Sequence, residues 1–484
     1  MRWFSPCVLA TLLVVASVGC DRDESSTPVG PVDTIESVGQ FEVSPETVAQ
    51  QVVDAARWAI ETDAGGASSP DLARGANSIL GFLREDLGNG IVHYVFEVRT
   101  GDGPYDKIGL HRVVKERRPG RPGRKLANLF LQHGDAKDFT GMFLPGTRGP
   151  NTPDDFGLAI FLAENDVDVW GIDQGWCFIS ADETDQSVGI DWGIQRAADE
   201  LRLGMAIARF SRLITGCSGA PMNVLGYSSG VFEIFAAAND EAVLPRWQRN
   251  IGGLVPADFY FKAELQRTRD LFCDYAAFDL SQLEAGNYLN AIPFEPIADF
   301  YVNDPDGDSV IFEGFTNAQV FWFFNAGLIF LPETFHYFAG ADDDADGFAD
   351  RFLHVEEAWV IDFLRAAIPF QTQQFIYDYD RTICDVDDVP WDDNLGLIDV
   401  PIYYLAANGG AEQLGIYPLS LTASDDVTSL VVSTQPDITV DFGHIDLFLA
   451  PIAEELAWEP LLDWVFDHRP HPRGNRRGEA VGAR

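Results

Sequence analysis

Residues 222–238 read MNVLGYSSGVFEIFAAA. An apolar run of strand type enters Gly226-Tyr227-Ser228-Ser229-Gly230, and a helix-forming apolar run leaves it. The pentapeptide fits G-x-S-x-G, and its place between strand and helix predicts a sharp turn that presents the Ser228 hydroxyl at the end of a sheet, the arrangement of a nucleophile elbow. Glycine on either side keeps Cβ atoms out of a tight strand-to-helix turn. The helix N-terminus beside Ser228 favours negative charge developing there. The plainer alternative is a serine that caps an ordinary helix.

Outward from this point, strand-like and helix-like runs alternate. Upstream lie IGLHRVV (108–114), KLANLFLQ (125–132) and DVDVWGI (166–172), then a long helical pattern from about 194 to 215. Downstream come IGGLV (251–255), PIYYLAA (401–407) and SLVVS (429–433). Alternation of this kind predicts an α/β protein with a mostly parallel central sheet flanked by helices. Residues 46–258 and 399–467 are assigned to that core, preceded by helical patterns at 48–60 and 71–87. Residues 259–398 have another character: VFWFFNAGLIFLPETFHYF (320–338) is dense in aromatics, and the stretch reads as a large, mainly helical cap inserted over the sheet.

Composition narrows the function classes. The 484 residues are 46% hydrophobic, enough for a large core, and acidic residues outnumber basic ones 75 to 33, a formal charge of -42. A surface of that sign repels phosphate backbones, so nucleic acid is excluded as a partner. Past position 20 the longest apolar stretch, 320–331, is broken by Asn325 and is too short to span a bilayer. Residues 1–19 carry an early Arg2 and an apolar core, the layout of a bacterial signal peptide. Gly19-Cys20 resembles a lipobox, which makes Cys20 the expected site of lipidation and membrane anchoring; plain secretion is the alternative. Residues 20–45 read as a tether and the basic 468–484 as a disordered tail. Outside the leader and Cys20 four cysteines remain, Cys177, Cys217, Cys273 and Cys384; an even number permits disulfides in an exported protein, and Cys273 with Cys384 is favoured because both fall in the insertion. Buried free thiols are the alternative.

An activated serine needs donors for the oxyanion and a base with an orienting acid. The donors expected are the backbone N–H groups of Ser229 and of Asp135 in LFLQHGDAKDF (129–139). Asp135 stands where an apolar residue is usual, so its carboxylate must point away from the oxyanion; His133 reads as a brace for the loop. With the acid and histidine following the serine in the chain, elimination leaves His444 in DFGHIDLFLAP (441–451) as base, with Asp446 bracing its loop. For the acid, Glu412 in IYYLAANGGAEQLG (402–415) is preferred, and Asp258 after the strand at 251–255 is the runner-up.

These segments, in this order, resemble the lysosomal acid lipase and gastric lipase type of α/β-hydrolase: DGPYDKIGLHRV (102–113), LFLQHGD, LAENDVDVWGIDQG (162–175), GYSSG, ANGGAE and GHIDLFLAP. The resemblance implies an α/β-hydrolase fold, ester hydrolysis of neutral lipids without a catalytic cofactor, and the acid role on Glu412, one residue beyond Asn-Gly-Gly-Ala. It does not extend to the insertion.

Two further stretches stand apart. ADDDADGFAD (341–350) sets Asp342, Asp344, Asp346 and Asp350 at calcium-loop spacing, with a solvated acidic loop as the alternative and DPDGD (304–308) a weaker second candidate; Leu353 replaces the usual closing glutamate. The cationic RVVKERRPGRPGRK (112–125) reads as a solvated hairpin tip. The expected function is thus a Ser-His-acid esterase or lipase acting on hydrophobic esters from a bacterial lipoprotein. The alternative on the same fold is a non-catalytic or acyl-transferring lipid-binding surface protein.

Overall fold

A computed structural model of the chain describes residues 79–327, 338–343 and 349–470, together with Gln50 and Asp54. The expected signal peptide, Cys20 and tether, nearly all of the helix expected at 48–60, Asp344 and Asp346, and the tail past 470 lie outside the described residues.

The core runs β1 (Ile79–Gly88), β2 (Ile91–Arg99), β3 (Lys107–Arg118), β4 (Arg121–Pro122), β5 (Ala127–Gln132), α1 (Leu158–Glu164), β6 (Val167–Asp173), α2 (Ile194–Ile214), β7 (Met222–Tyr227), α3 (Gly230–Ala242) and β8 (Ile251–Ala257). The inserted region follows with α4 (Gln266–Glu284), β9 (Leu289–Ala291), α5 (Phe294–Asn303), α6 (Asn317–Ala326), β10 (Ala341–Asp343), β11 (Ala349–Phe352), α7 (Glu357–Arg365), β12 (Phe370–Thr372) and α8 (Gln373–Cys384). The chain returns to the core through β13 (Ile402–Ala407), β14 (Val427–Val432) and α9 (Glu459–Asp467).

The central sheet has the order β1-β2-β3-β6-β5-β7-β8-β13-β14, with β4 beside β3. The pairs from β1 to β6 are antiparallel and those from β6 to β14 parallel. Period-two alternation divides the strands between two apolar layers: Met222 and Val224 pack on one face with Ile402 and Tyr404, Leu225 and Tyr227 on the other with Tyr403 and Leu405. Covering both faces requires the near-continuous apolar strands that the sequence shows. The insertion is mainly helical, as expected, with β9 pairing β12 and β10 pairing β11.

The helix expected at 71–87 is corrected: its described part is strand β1, paired antiparallel with β2. The apolar positions suit either period. The local signal that decides is Asn89-Gly90, both at positive φ (50° and 78°), which closes a two-residue hairpin against Gly88 and Ile91. Phe82 then reaches Phe96, ring centroids 5.1 Å apart.

The cationic stretch at 112–125 is a hairpin, but Arg112 is no part of its solvated tip: it is buried in a two-pronged pair with Asp168 at 2.8 and 2.9 Å. In the insertion Cys273 on α4 is joined to Cys384 on α8, while Cys177 and Cys217 are free thiols.

Candidate active site

The sheet brings the ends of β5, β7, β8 and β13 side by side, and each leads into a turn or loop that carries a residue sequence analysis singled out. Between β7 and α3, Ser228 sits at φ 55°, a left-handed conformation that costs a non-glycine residue of order 1 kcal/mol or more unless the surroundings hold it. Its N–H donates to the Ala257 carbonyl at 2.9 Å, tying the turn to the end of β8. A Cβ on Gly226 would stand 2.3 Å from the Gly230 carbonyl oxygen, so the turn is as tight as G-x-S-x-G suggests.

His444 is buried, its ring stacked on Tyr227 with centroids 4.5 Å apart, and the Tyr227 hydroxyl donates to the His444 carbonyl at 3.1 Å. Nδ1 donates to Asp258 Oδ2 at 2.5 Å. Asp258, fully buried at the end of β8, accepts on its other oxygen from the Ala407 and Ala411 amides at 2.8 and 3.0 Å. The carboxylate is therefore held from three directions and can orient the imidazole.

This corrects the preference for Glu412: the carboxylate that meets His444 belongs to the runner-up. Glu412 is half-buried and is held through its main chain, its N–H donating to the Ala407 carbonyl at 3.1 Å and its carbonyl accepting from the Tyr404 hydroxyl at 3.0 Å. The turn at 408–411 instead wraps Asp258: a Cβ on Gly410 would lie 2.1 Å from Asp258 Oδ2. Asn-Gly-Gly-Ala is present because it houses an acid supplied by the neighbouring strand.

Asp441 and Asp446 fix the histidine loop. Asp441 accepts from the Asn408 side chain at 2.8 Å, and Asp446 from the Gly443 and Gly340 amides at 2.7 and 2.8 Å. Burial pushes the Asp446 carboxyl up to about 6. Asp446 thus braces the loop, as expected. Tyr227, the variable residue of the motif, was not singled out; its place at the end of an apolar strand beside the serine was the only sequence signal.

On the loop after β5, Asp135 turns its carboxyl to the Ser229 hydroxyl, which donates to it at 2.8 Å, and burial raises that carboxyl to about 6. The backbone N–H groups of Ser229 and Asp135 have no acceptor within the described residues, so both are free to donate. His133 braces the loop through Nδ1, which donates to the Gly134 carbonyl at 2.9 Å.

His133, Asp173 and Cys177 are close enough together to suggest a metal centre, but their ligand atoms are otherwise engaged. Asp173 accepts from His111 at 2.8 Å and from the Phe139 amide at 2.6 Å, and Cys177 Sγ faces His133 Nε2 at 3.5 Å. Burial pushes the Cys177 thiol well up, away from the thiolate a metal needs. The residues fit a hydrogen-bonded network and not a metal site. Of the acids at 341–350, Asp342 is bound to Arg351 at 2.7 Å across the β10–β11 hairpin, with Asp350 on the same hairpin.

Ser228, Ser229, Asp135 and His444 all border one cavity of about 210 Å³, walled largely by aromatic side chains that include Phe232, Phe259, Phe272, Phe294 and Phe338. Core and insertion both contribute to its wall.

No protein-family model matches this chain, and no curated protein matches it in sequence. Among solved structures it is similar to a lipase candidate from Sulfolobus solfataricus, at 16% identity and TM-score 0.52 over 81% of this chain and 100% of the other. The chain has the α/β-hydrolase fold. Weaker likenesses include a soluble variant of monoglyceride lipase from Saccharomyces cerevisiae (10% identity, TM-score 0.44, 84% and 100% of the two chains) and proline iminopeptidase from Mycobacterium smegmatis (13%, 0.38, 77% and 98%).

Proposed function

We propose that this protein is a serine hydrolase that cleaves carboxylic esters of hydrophobic substrates, of the lipase and esterase class. The observation that carries the reading is the Asp258–His444 hydrogen bond at the rim of an aromatic cavity that Ser228 also borders. In this reading His444 Nε2 takes the Ser228 proton as Oγ attacks the ester carbonyl, and Asp258 stabilises the imidazolium through Nδ1–H. The Ser229 and Asp135 amides donate to the oxyanion. Collapse expels the alcohol, protonated by His444, and leaves an acyl-enzyme. Water, deprotonated by the same imidazole, then releases the acid. No metal or cofactor is called for.

The test is labelling with an active-site-directed alkyl phosphonate followed by turnover of nitrophenyl esters of increasing chain length. Ser228→Ala should abolish labelling and lower turnover by about 10⁴ or more. Undiminished turnover would sink the assignment. Ligand binding without turnover would instead favour a lipid-binding protein on this fold.

Two accompanying proposals concern setting. Export with a lipid anchor on Cys20 is supported by the Cys273–Cys384 disulfide, since such bonds persist in oxidising compartments. Metabolic labelling with palmitate that disappears in Cys20→Ala checks it. Structural calcium at 341–350 would have to displace Arg351 from Asp342. Millimolar Ca²⁺ should then raise the melting temperature of chelator-treated protein, and an unchanged curve retires the site.

A further inference from the structure

The wall of the cavity that comes from the insertion is not uniformly apolar. On α4 the buried stripe runs Thr268, Phe272, Ala276, Asp279, and on α8 it includes Ile376, Asp380 and Ile383. At helical spacing each acid occupies a position that an apolar residue would fill if the stripe served only packing. Asp279 and Asp380 are 2% and 4% exposed, and both border the cavity. The disulfide between Cys273 and Cys384 joins the two helices that carry them.

The two carboxyls act on each other, and Gln373 Nε2 donates to Asp279 Oδ1 at 2.8 Å. Burial pushes both carboxyls up, Asp380 further through the neighbouring Asp279. Buried charges are ordinarily paired with an opposite charge. Among the described residues the groups acting on the pair are each other, Gln373 and Asp135, and none is a cation. Lys137, the one basic side chain among the described residues that borders the cavity apart from His444, donates to the Phe363 carbonyl and answers to Asp138 and Arg148 instead.

A second observation is independent of the acids. Asn325 is fully buried and borders the same cavity; its Nδ2 donates to the Phe321 carbonyl at 2.8 Å, while its Oδ1 has no partner among the described residues. An orphaned buried acceptor asks for a donor on a ligand. Tyr275 and Tyr379 also face the cavity, and tyrosine rings attract cations. A chain of charge -42 draws cations toward its surface and repels anions.

We propose that this cavity selects esters whose acyl chain ends in a protonated amine, with Asp279 and Asp380 as its counter-ion and Asn325 Oδ1 as a further acceptor. The inference rests on the hydrolase reading and narrows its substrate class. The step is non-covalent: the ammonium docks on the carboxyl pair, and any proton it displaces from the pair leaves to bulk solvent.

The test compares nitrophenyl 6-aminohexanoate with nitrophenyl heptanoate, which have the same chain length and differ in the terminal group, after subtraction of spontaneous hydrolysis. Wild-type protein should favour the amine ester by about tenfold or more in kcat/KM, chiefly through KM. Asp380→Asn and Asp279→Asn, each shown to be folded by circular dichroism, should bring the ratio to about 1 or below. A wild-type ratio of 1 or less with Ser228-dependent turnover overturns the inference and leaves the hydrolase reading standing. So does a ratio that survives in both variants. If neither ester turns over and the phosphonate does not label, the hydrolase reading falls, and calorimetry with hexylamine against 1-hexanol still decides the site. Tighter binding of the amine, lost in Asp380→Asn, supports it; equal binding overturns it.

Discussion

The turns that follow β8 and β13 are alike locally and opposite in consequence. Each places an acid in the left-handed region just past a buried parallel strand, Asp258 at φ 51° and Glu412 at φ 50°. Asp258 is sealed from solvent and receives three hydrogen bonds to its carboxylate, one of them from His444. Glu412 is half-buried and serves its turn through the main chain. Strand-end position and backbone conformation therefore do not make an orienting acid. What makes one is the neighbouring turn that closes over it, and only β8 has such a neighbour, because residues 408–411 fold back on Asp258.

The largest expected effect breaks this comparison outright if it fails. Asp258→Asn should favour the wrong tautomer of His444 and lower ester turnover by roughly 10² to 10⁴, about 3 to 5 kcal/mol of transition-state stabilisation. Glu412→Gln, assayed beside it, should stay within about threefold of wild type. If the order is reversed, the orienting acid is Glu412 and the Asp258–His444 bond is structural.

Gly410→Ala sharpens the point, because it alters the covering turn and not the acid. Its Cβ cannot share space with Asp258 Oδ2, so turnover should fall by about tenfold or more while KM changes little. Wild-type turnover would show that the turn yields freely and is not what holds the carboxylate.

A smaller effect tests a buried acid outside that comparison by pH. Asp135 accepts one hydrogen bond, from Ser229, and burial raises its carboxyl to about 6. Its neutral form is therefore favoured in the fold: the resulting stability is complete below the ordinary carboxylate range near 4 and is lost as pH rises through 6. Asp135→Asn keeps the neutral shape. Its melting temperature should match wild type at pH 4 and exceed it by a few degrees at pH 8. A constant difference across that range would mean that Asp135 is not the titrating group.

Ser228 and His444 were both legible, for different reasons. The serine is marked by local chemistry, since two glycines and the change of period from strand to helix lie within a few residues. The histidine emerged by elimination, because of the five histidines after the serine His336 and His354 fall in the insertion and His468 and His471 in the tail. Asp258 was legible only as a rival. ANGGAE supplies a turn and a nearby acid, and chain proximity made Glu412 look like the acid that the turn presents, whereas Asp258 is 149 residues away from the Ala407 amide that holds it. The hairpin of β1 and β2 was missed for a local reason: its apolar residues suit two periods, and Asn89-Gly90 held the deciding information. Asp279 and Asp380 could have been found by counting helical positions, since each falls at helical spacing from apolar residues, Phe272 and Ala276 for the first and Ile376 and Ile383 for the second.

The amino-acid sequence by itself determined the alternation of buried strands with helices, the sharp turn at Ser228, the mainly helical insertion and the acidity of the whole, because each is a property of residues within a few positions of one another or of bulk composition. Tertiary structure decided which acid meets His444, that Asn-Gly-Gly-Ala shelters rather than supplies it, and that Asp279 and Asp380 share one cavity with Ser228. Those contacts join residues far apart in the chain, and their energies depend on burial and on the direction of hydrogen bonds, which exist only once the strands lie side by side.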